Sequence, residues 1–284
     1  MRHNASSVSF NTSESWVILS PIELSIKRKI ESVGVPLRDW DINIYRGVLT
    51  GYNEAFIITT EKRNEILSKC LNEEERKRTE ELIRPILRGR DIKRYGYDWA
   101  GLWLINTHNG IKGRLERIHI EDYPAVKAHL DQYWDKISTR ADKGDTPYNL
   151  RNCAYLDDFN NQKIVWARLM RITKCDVNDF PRFALVPEGI MTVDSLCFFS
   201  GKDIEQICYF LNSEYATYYF LKNIVALDNG GLQMRQQYIE EIPLPTDSET
   251  SDSSIYLAFG FNKEEISFIQ EYIRFRKHEI LSRD

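Results

Sequence analysis

Apolar residues recur at Ile22, Ile26, Ile30 and Val33, the spacing of one helical face. Ser20 as N-cap, Pro21 at the first helical position and Glu23 as the partner of a capping box start this helix, and Gly34 and Pro36 stop it. Residues 42–58 read as two β-rich runs around a turn that carries Gly47 and Gly51. Thr59 or Thr60 opens a helix to about Leu71, and Asn72 with Glu75 caps another to about Ile83. Arg84–Tyr95 breaks the helical pattern, and Trp103–Asn106 predicts a strand. Pro124–Ile137 predicts an amphipathic helix with Val126, Leu130, Tyr133 or Trp134, and Ile137 on its apolar face. A polar loop follows over residues 139–152.

Strands are expected over residues 163–168, 182–186 and 192–199. Helices are expected from Gly201-Lys202-Asp203 to Leu211 and from Ser213 to about Val225, where Tyr215, Tyr218, Tyr219 and Phe220 read as core. Asp228-Asn229-Gly230-Gly231 is a turn signal, Ile242–Pro245 is extended, and the Asp/Ser/Thr-rich stretch 246–254 reads as a flexible linker. Asn262 caps a final helix to about Leu281. Strands and helices mix without βαβ alternation and without an internal repeat. The class is therefore α+β, a mixed and twisted β-sheet with flanking helices and a helical C-terminal segment.

The 284 residues are 42% hydrophobic and 28% charged, which excludes a wholly disordered chain. No uninterrupted apolar run is long enough for a membrane span, and the polar start argues against a signal peptide. Cys70, Cys153, Cys175, Cys197 and Cys208 are widely spaced with no CxxC, so a reducing cytoplasm is the expected compartment. The net charge of -4 disfavours a stand-alone, non-specific nucleic-acid binder. Its distribution is uneven. Arg84–Arg117 carries eight Lys/Arg against three acids and Lys136–Lys174 eight against four, whereas Ile239–Glu271 carries eight acids and one lysine. That pattern suits a basic face for phosphate beside an acidic support.

Catalytic signatures are missing: there is no GxGxxG, Walker A loop, HExxH or GxSxG. Asp145-Thr146-Pro147-Tyr148 superficially resembles an amino-methyltransferase motif, but Thr replaces its first proline and the stretch reads as a turn. Asp91-Ile92-Lys93 is half of a nuclease motif without a metal-binding partner. His3, His108, His119, His129 and His278 are isolated. The residues alone give an α+β module without evident catalytic equipment.

Arg46-Gly47-Val48-Leu49-Thr50-Gly51-Tyr52-Asn53-Glu54-Ala55-Phe56 resembles the opening of the TaqI-like C-terminal specificity domain of bacterial restriction-modification enzymes, with its Gly-x-x-Thr-Gly-x-Asn-x-x-Phe pattern. The similarity continues in order through Arg88-Gly89-Arg90-Asp91-Ile92, Tyr123-Pro124, Pro147–Arg151, Lys163–Trp166, Asp194-Ser195, Leu211-Asn212-Ser213 and Ile239–Pro245. It covers roughly residues 40–246. The resemblance implies a target-recognition domain for double-stranded DNA, non-catalytic by itself and not associated with membrane. It also implies a partner, an adenine-N6 methyltransferase domain or subunit that binds S-adenosylmethionine. This chain itself is expected to bind no cofactor or metal. On that reading residues 1–39 are a connecting segment with an amphipathic helix, 40–246 the recognition domain, and 247–284 a linker and C-terminal helix.

Phosphate contacts need cations, small hydroxyls and free amides, and base reading favours Arg for guanine and Asn or Gln for adenine. Candidates are Arg46, Thr50 and Asn53 around the glycine loop, whose amides also qualify, and Arg88, Arg90, Lys93 and Arg94 in the basic segment. Two further loops qualify. One carries Arg140, Lys143, Asn149, Arg151 and Asn152; the other carries Asn229, Gln233, Arg235, Gln236 and Gln237. Arg168 and Arg171, at a strand end, are weaker candidates. A competing reading is a protein-interaction scaffold whose first and last helices dock a separate methyltransferase or nuclease subunit. A third is a divergent nuclease using Asp91 and Lys93.

Overall fold

Local capping chemistry starts the fold where the sequence placed it. A computed structural model describes residues 19–175, 177–227, 230–246 and 248–282; the polar N-terminal stretch up to residue 18 and the turn residues Asp228 and Asn229 lie outside the described residues. The Ser20 amide donates to Glu23 Oε2 at 2.8 Å and closes the capping box of α1 (Pro21–Val33). Ile26 and Ile30 are buried, but Val33 at the end of the stripe is exposed. Next come β1 (Val35–Pro36), β2 (Ile42–Arg46), α2 (Asn53–Phe56), β3 (Ile57–Thr59) and α3 (Thr60–Ser68). The expected second strand of residues 42–58 is thus shortened by a helical turn that buries Ala55 and Phe56.

Asn72 caps α4 (Glu73–Leu82), accepting from the Glu75 amide at 2.9 Å. The chain continues through β4 (Ile83–Leu87) and β5 (Leu102–Ile105). The single helix expected over 124–137 is two: α5 (Pro124–Asp131) and α6 (Trp134–Ile137). A Tyr133 N–H to Leu130 carbonyl bond tightens the turn between them. Val126, Leu130 and Ile137 stay buried, and Trp134 is turned outward.

The second half holds β6 (Lys163–Ala167), β7 (Leu169–Arg171), β8 (Ala184–Val186), β9 (Met191–Thr192), β10 (Leu196–Gly201), α7 (Ile204–Leu211) and α8 (Glu214–Asn223). It ends with β11 (Gly231–Gln233), α9 (Gln236–Ile239), β12 (Pro243–Leu244), α10 (Asp252–Ala258) and α11 (Lys263–Leu281). The class is α+β. One four-stranded sheet is antiparallel, in the order β2-β10-β6-β8; the other runs β3-β5-β4-β9 and contains the parallel pair β4–β9. The run expected as one strand at 192–199 is broken because the turn at Val193–Leu196 hands the chain from one sheet to the other. Trp166 sits in the shared core, with Phe183 and Phe199 at ring-centroid distances of 5.8 and 5.9 Å. Tyr215, Tyr218 and Phe220 are buried with them.

The stretch 246–254, expected as a linker, already contains the start of α10. Ser251 caps it and Asp252 Oδ1 accepts from the Glu214 amide at 2.8 Å, so a polar run is fixed to α8. Helix α1 docks on α11 through a buried carboxylate. Glu265 accepts from Ser25 Oγ at 2.7 Å and from Lys29 Nζ at 2.6 Å, and it also closes the capping box of Asn262. Burial pushes the Glu265 carboxyl up, but Lys29, the Asn262 amide and Ser25 outweigh it and leave its pKa below the ordinary value. A carboxylate with a depressed folded pKa stabilises fully above its unfolded pKa of about 4.3 and loses that contribution as pH falls through the folded value. Thermal melts between pH 6 and 3 should therefore show a steeper loss in the native chain than in Glu265→Gln. At pH 7 the variant should be less stable by about 1–2 kcal/mol.

Candidate nucleic-acid interface

Strand β10 has a neighbour on each edge; β2 ends in Arg46, and Arg168 directly follows β6. Cys197 lies opposite Arg46 on β2 and opposite Trp166 on β6. Side chains alternate with period two, so Arg168, two residues beyond Trp166, returns to the same face. Its amide donates to the Ser195 carbonyl at 3.0 Å, extending the ladder by one step. Burial pushes the Cys197 thiol up to about 11, against the pull of Arg168 and Arg46 beside it. Neither arginine side chain has a hydrogen-bond or ion-pair partner among the described residues, and Arg168 Nε is buried without an acceptor.

These two arginines form the common wall of two adjoining clefts. One, of about 310 Å³, is also lined by Asn106, His108, Arg151, Asn152 and Asp194. The other, of about 670 Å³, is lined by Leu169, Gln233, Arg235, Gln236 and Glu240. The two polar loops, far apart in sequence, thus meet at one groove. The second is held there by Trp166, whose Nε1 donates to the Met234 carbonyl at 2.9 Å. Arg235 is exposed and without a side-chain partner among the described residues, and Gln236 Nε2 donates to Glu240 at 3.2 Å.

The first loop is tied down by Arg140, which is buried. Its guanidinium donates to the carbonyls of Thr50, Pro147 and Asn149, the last two at 3.1 and 2.5 Å, and stacks over Phe56 at 4.3 Å. Burial lowers its pKa to about 10, still leaving it charged at neutral pH. Gly51, at φ +69°, passes beneath this loop; a Cβ there would stand 2.7 Å from the Asp142 carbonyl oxygen. Asn149 is buried and bridges the Ile118 carbonyl and Thr146. What the loop presents outward is Arg151, paired with Asp142 at 3.0 Å and largely exposed, and Asn152, which accepts from Asn109.

The profile of the TaqI-like C-terminal specificity domain matches residues 84–244, more than half of the chain. The chain belongs to this family. Among solved structures it is similar to the type IIG restriction endonuclease BpuSI, with a TM-score of 0.54 and 13% identity over 91% of this chain and 32% of that one. It is also similar to the type IIL restriction-modification enzyme MmeI, solved in complex with DNA, with a TM-score of 0.50 and 10% identity over 86% of this chain and 36% of that one. At such identities the likeness is one of fold, and the chain spans about a third of each of those proteins. No curated protein matches it.

In this specificity domain the family match begins after the glycine loop, and that loop is engaged by the fold itself. The Gly47 and Val48 amides donate to the carbonyls of Leu196 and Thr192 at 3.0 and 2.7 Å, so they are not free for phosphate. A Cβ on Gly47 would meet the Val193 carbonyl oxygen at 2.0 Å, which is why glycine stands there. Thr50 is buried and donates to Asn53 Oδ1 at 2.5 Å; Asn53 itself is exposed. The basic segment is not a row of free cations either. Arg88 is bidentate to Asp91 at 2.9 and 3.2 Å, Lys93 sits 3.9 Å from Asp98, and Arg94 donates to the carbonyls of Asn178 and Asn212. Arg90 alone of the four is exposed without a side-chain partner among the described residues. Lys143 is exposed and donates to the Ser138 carbonyl at 2.7 Å.

The structure therefore gathers Arg46, Arg151, Asn152, Gln233, Arg235 and Gln236 at the groove. It gives Arg140, Arg88, Arg94 and Thr50 internal partners instead. Asn106, with a buried and unpartnered Oδ1, and His108, whose pKa burial lowers, line the groove although the pattern singled out neither. Both follow strand β5, as Arg168 follows β6, and a polar residue just past an apolar strand was the one available signal. Replacing Arg140 by Gln should free the 140–152 loop, at a cost of about 2–4 kcal/mol, because three carbonyls lose a charged donor. Hydrogen exchange should accelerate in that loop and leave β6 and β10 protected.

Proposed function

We propose that this chain is a sequence-specific reader of double-stranded DNA, the specificity module of a bacterial restriction-modification enzyme, with no catalysis of its own. The observation that carries the reading is the groove wall. Arg46, Arg168 and Arg235 line it without a carboxylate partner among the described residues, in a chain whose net charge is -4. Guanidinium groups massed on one surface repel one another, and a polyanion relieves that repulsion while releasing its own counterions. Asn152 lines one of the two clefts and Gln233 the other, and their amides suit base edges. MmeI, which shares the fold, was solved with DNA, and the reading extends that ligand class to this chain.

On this reading, residues 40–246 clamp the duplex, while an adenine-N6 methyltransferase domain or subunit binds S-adenosylmethionine and extrudes the target base beside the groove. Residues 1–39 then connect the two, residues 247–284 brace α1 and α8, and the enzyme works in the cytoplasm. Arg46 and Arg168 hold phosphate, and Arg235, on the more exposed loop, reads a base.

Affinity selection from a random duplex library, followed by salt titrations of the winner, tests this. A motif should be enriched and binding should weaken steeply with salt. Arg168→Ala should weaken all sequences alike and reduce the slope of log K against log salt by about one. Arg235→Ala should relax one base position, worth about 1–3 kcal/mol. Absence of duplex binding even at low salt would overturn the reading.

A further inference from the structure

Strands β7 and β11 form a two-stranded antiparallel ribbon at the groove edge, with Leu169 opposite Gln233 and Met170 opposite Leu232. Met170 and Leu232 are fully buried, so the period-two alternation turns Leu169 and Gln233 to the other face. Both line the groove there, next to Arg168 and Arg235. Leu169 is 46% exposed, an apolar side chain with little protein over it at the edge of a cationic cleft. The Gln233 amide has no hydrogen-bond partner among the described residues, whereas neighbouring Gln236 is engaged with Glu240. Directly opposed residues of an antiparallel pair have Cβ atoms about 4.5–5.5 Å apart, so the two side chains can meet a single base pair.

We infer, resting on the DNA reading above, that this ribbon enters the major groove and that Leu169 and Gln233 together read one A·T pair. The major groove admits a two-stranded ribbon. A glutamine amide matches adenine N6 and N7 with one donor and one acceptor, and an apolar contact to the 5-methyl group is what sets thymine apart there. Arg168 precedes Leu169 and can hold the adjoining phosphate, and Arg235 lies two residues past Gln233, where it can read a neighbouring base pair.

The test uses the full chain and the duplex that it selects. Each A·T pair of the selected motif is changed in turn, thymine to deoxyuridine and, separately, adenine to 7-deazaadenine, and the Kd is measured for the native chain, Leu169→Ala and Gln233→Ala. At one pair, loss of the methyl group should weaken the native chain about three- to fivefold and leave Leu169→Ala unaffected. At that same pair, loss of N7 should weaken the native chain about tenfold and leave Gln233→Ala unaffected. Sequence-specific binding in which no pair responds to both changes, or in which the two variants couple to different pairs, would overturn the inference and leave the DNA reading standing. Failure to bind any duplex would overturn both. The DNA-side changes need no variant to fold, and Leu169→Thr serves as a second exposed-site substitution.

Discussion

The antiparallel flanking of β10 places the groove. Because β2 and β6 run on its two edges, Arg46 and Arg168 finish on the same sheet face, with Cys197 buried beneath them. That arrangement requires the chain to leave β2 at once, and it does so by passing against the Thr192 and Val193 carbonyls at Gly47. A side chain there would force apart the passage between the two sheets and move Arg46 with it. The indole of Trp166, on the same face, then fixes the segment that carries Gln233 and Arg235. One strand register thus determines where three arginines from distant parts of the chain meet.

The distribution of counter-charges separates structural cations from available ones. Arg140, Arg88 and Arg94 each have protein acceptors for their guanidinium groups, and removing any of them would take a charged donor from those acceptors. Arg46, Arg168 and Arg235 have none among the described residues. A guanidinium presents five donors in a fixed fork, so three of them without acceptors at one cleft is an arrangement completed from outside. The acidic C-terminal stretch takes part in internal work: Asp252 holds the α8 amide end and Glu265 holds α1. Apart from Glu240, which lines the groove and accepts from Gln236, it offsets the total charge of the chain from outside the groove.

Features governed by local chemistry were legible in the sequence. The caps at Ser20, Asn72, Ser213 and Asn262 depend only on residues three apart, and each starts its helix where read. The burial of Tyr215 and Phe220 followed from helical spacing. Features that depend on distant partners were not. The stretch before Asp252 is as polar as a linker, and only contact with α8 reveals it as the edge of a packed helix. The glycine loop looked open to phosphate because its amides find their acceptors about 145 residues away, at Thr192 and Leu196. Arg140 and Arg151 belong to the same polar loop, yet one is an internal clamp and the other a surface group; composition gives both the same weight. Arg46 and Arg235 stay exposed, at a strand end and a turn, where little protein competes for their side chains.

The central claim is that Arg46, Arg168 and Arg235 form one surface that duplex DNA covers. Arginine-selective chemical footprinting of the full chain, read by mass spectrometry with and without the selected duplex, addresses it most directly. The account predicts that duplex strongly slows modification of these three side chains and leaves Arg28 and Arg274, which do not line the groove, at their free rates. Protection spread evenly over all arginines, or confined to residues outside the groove, would contradict it.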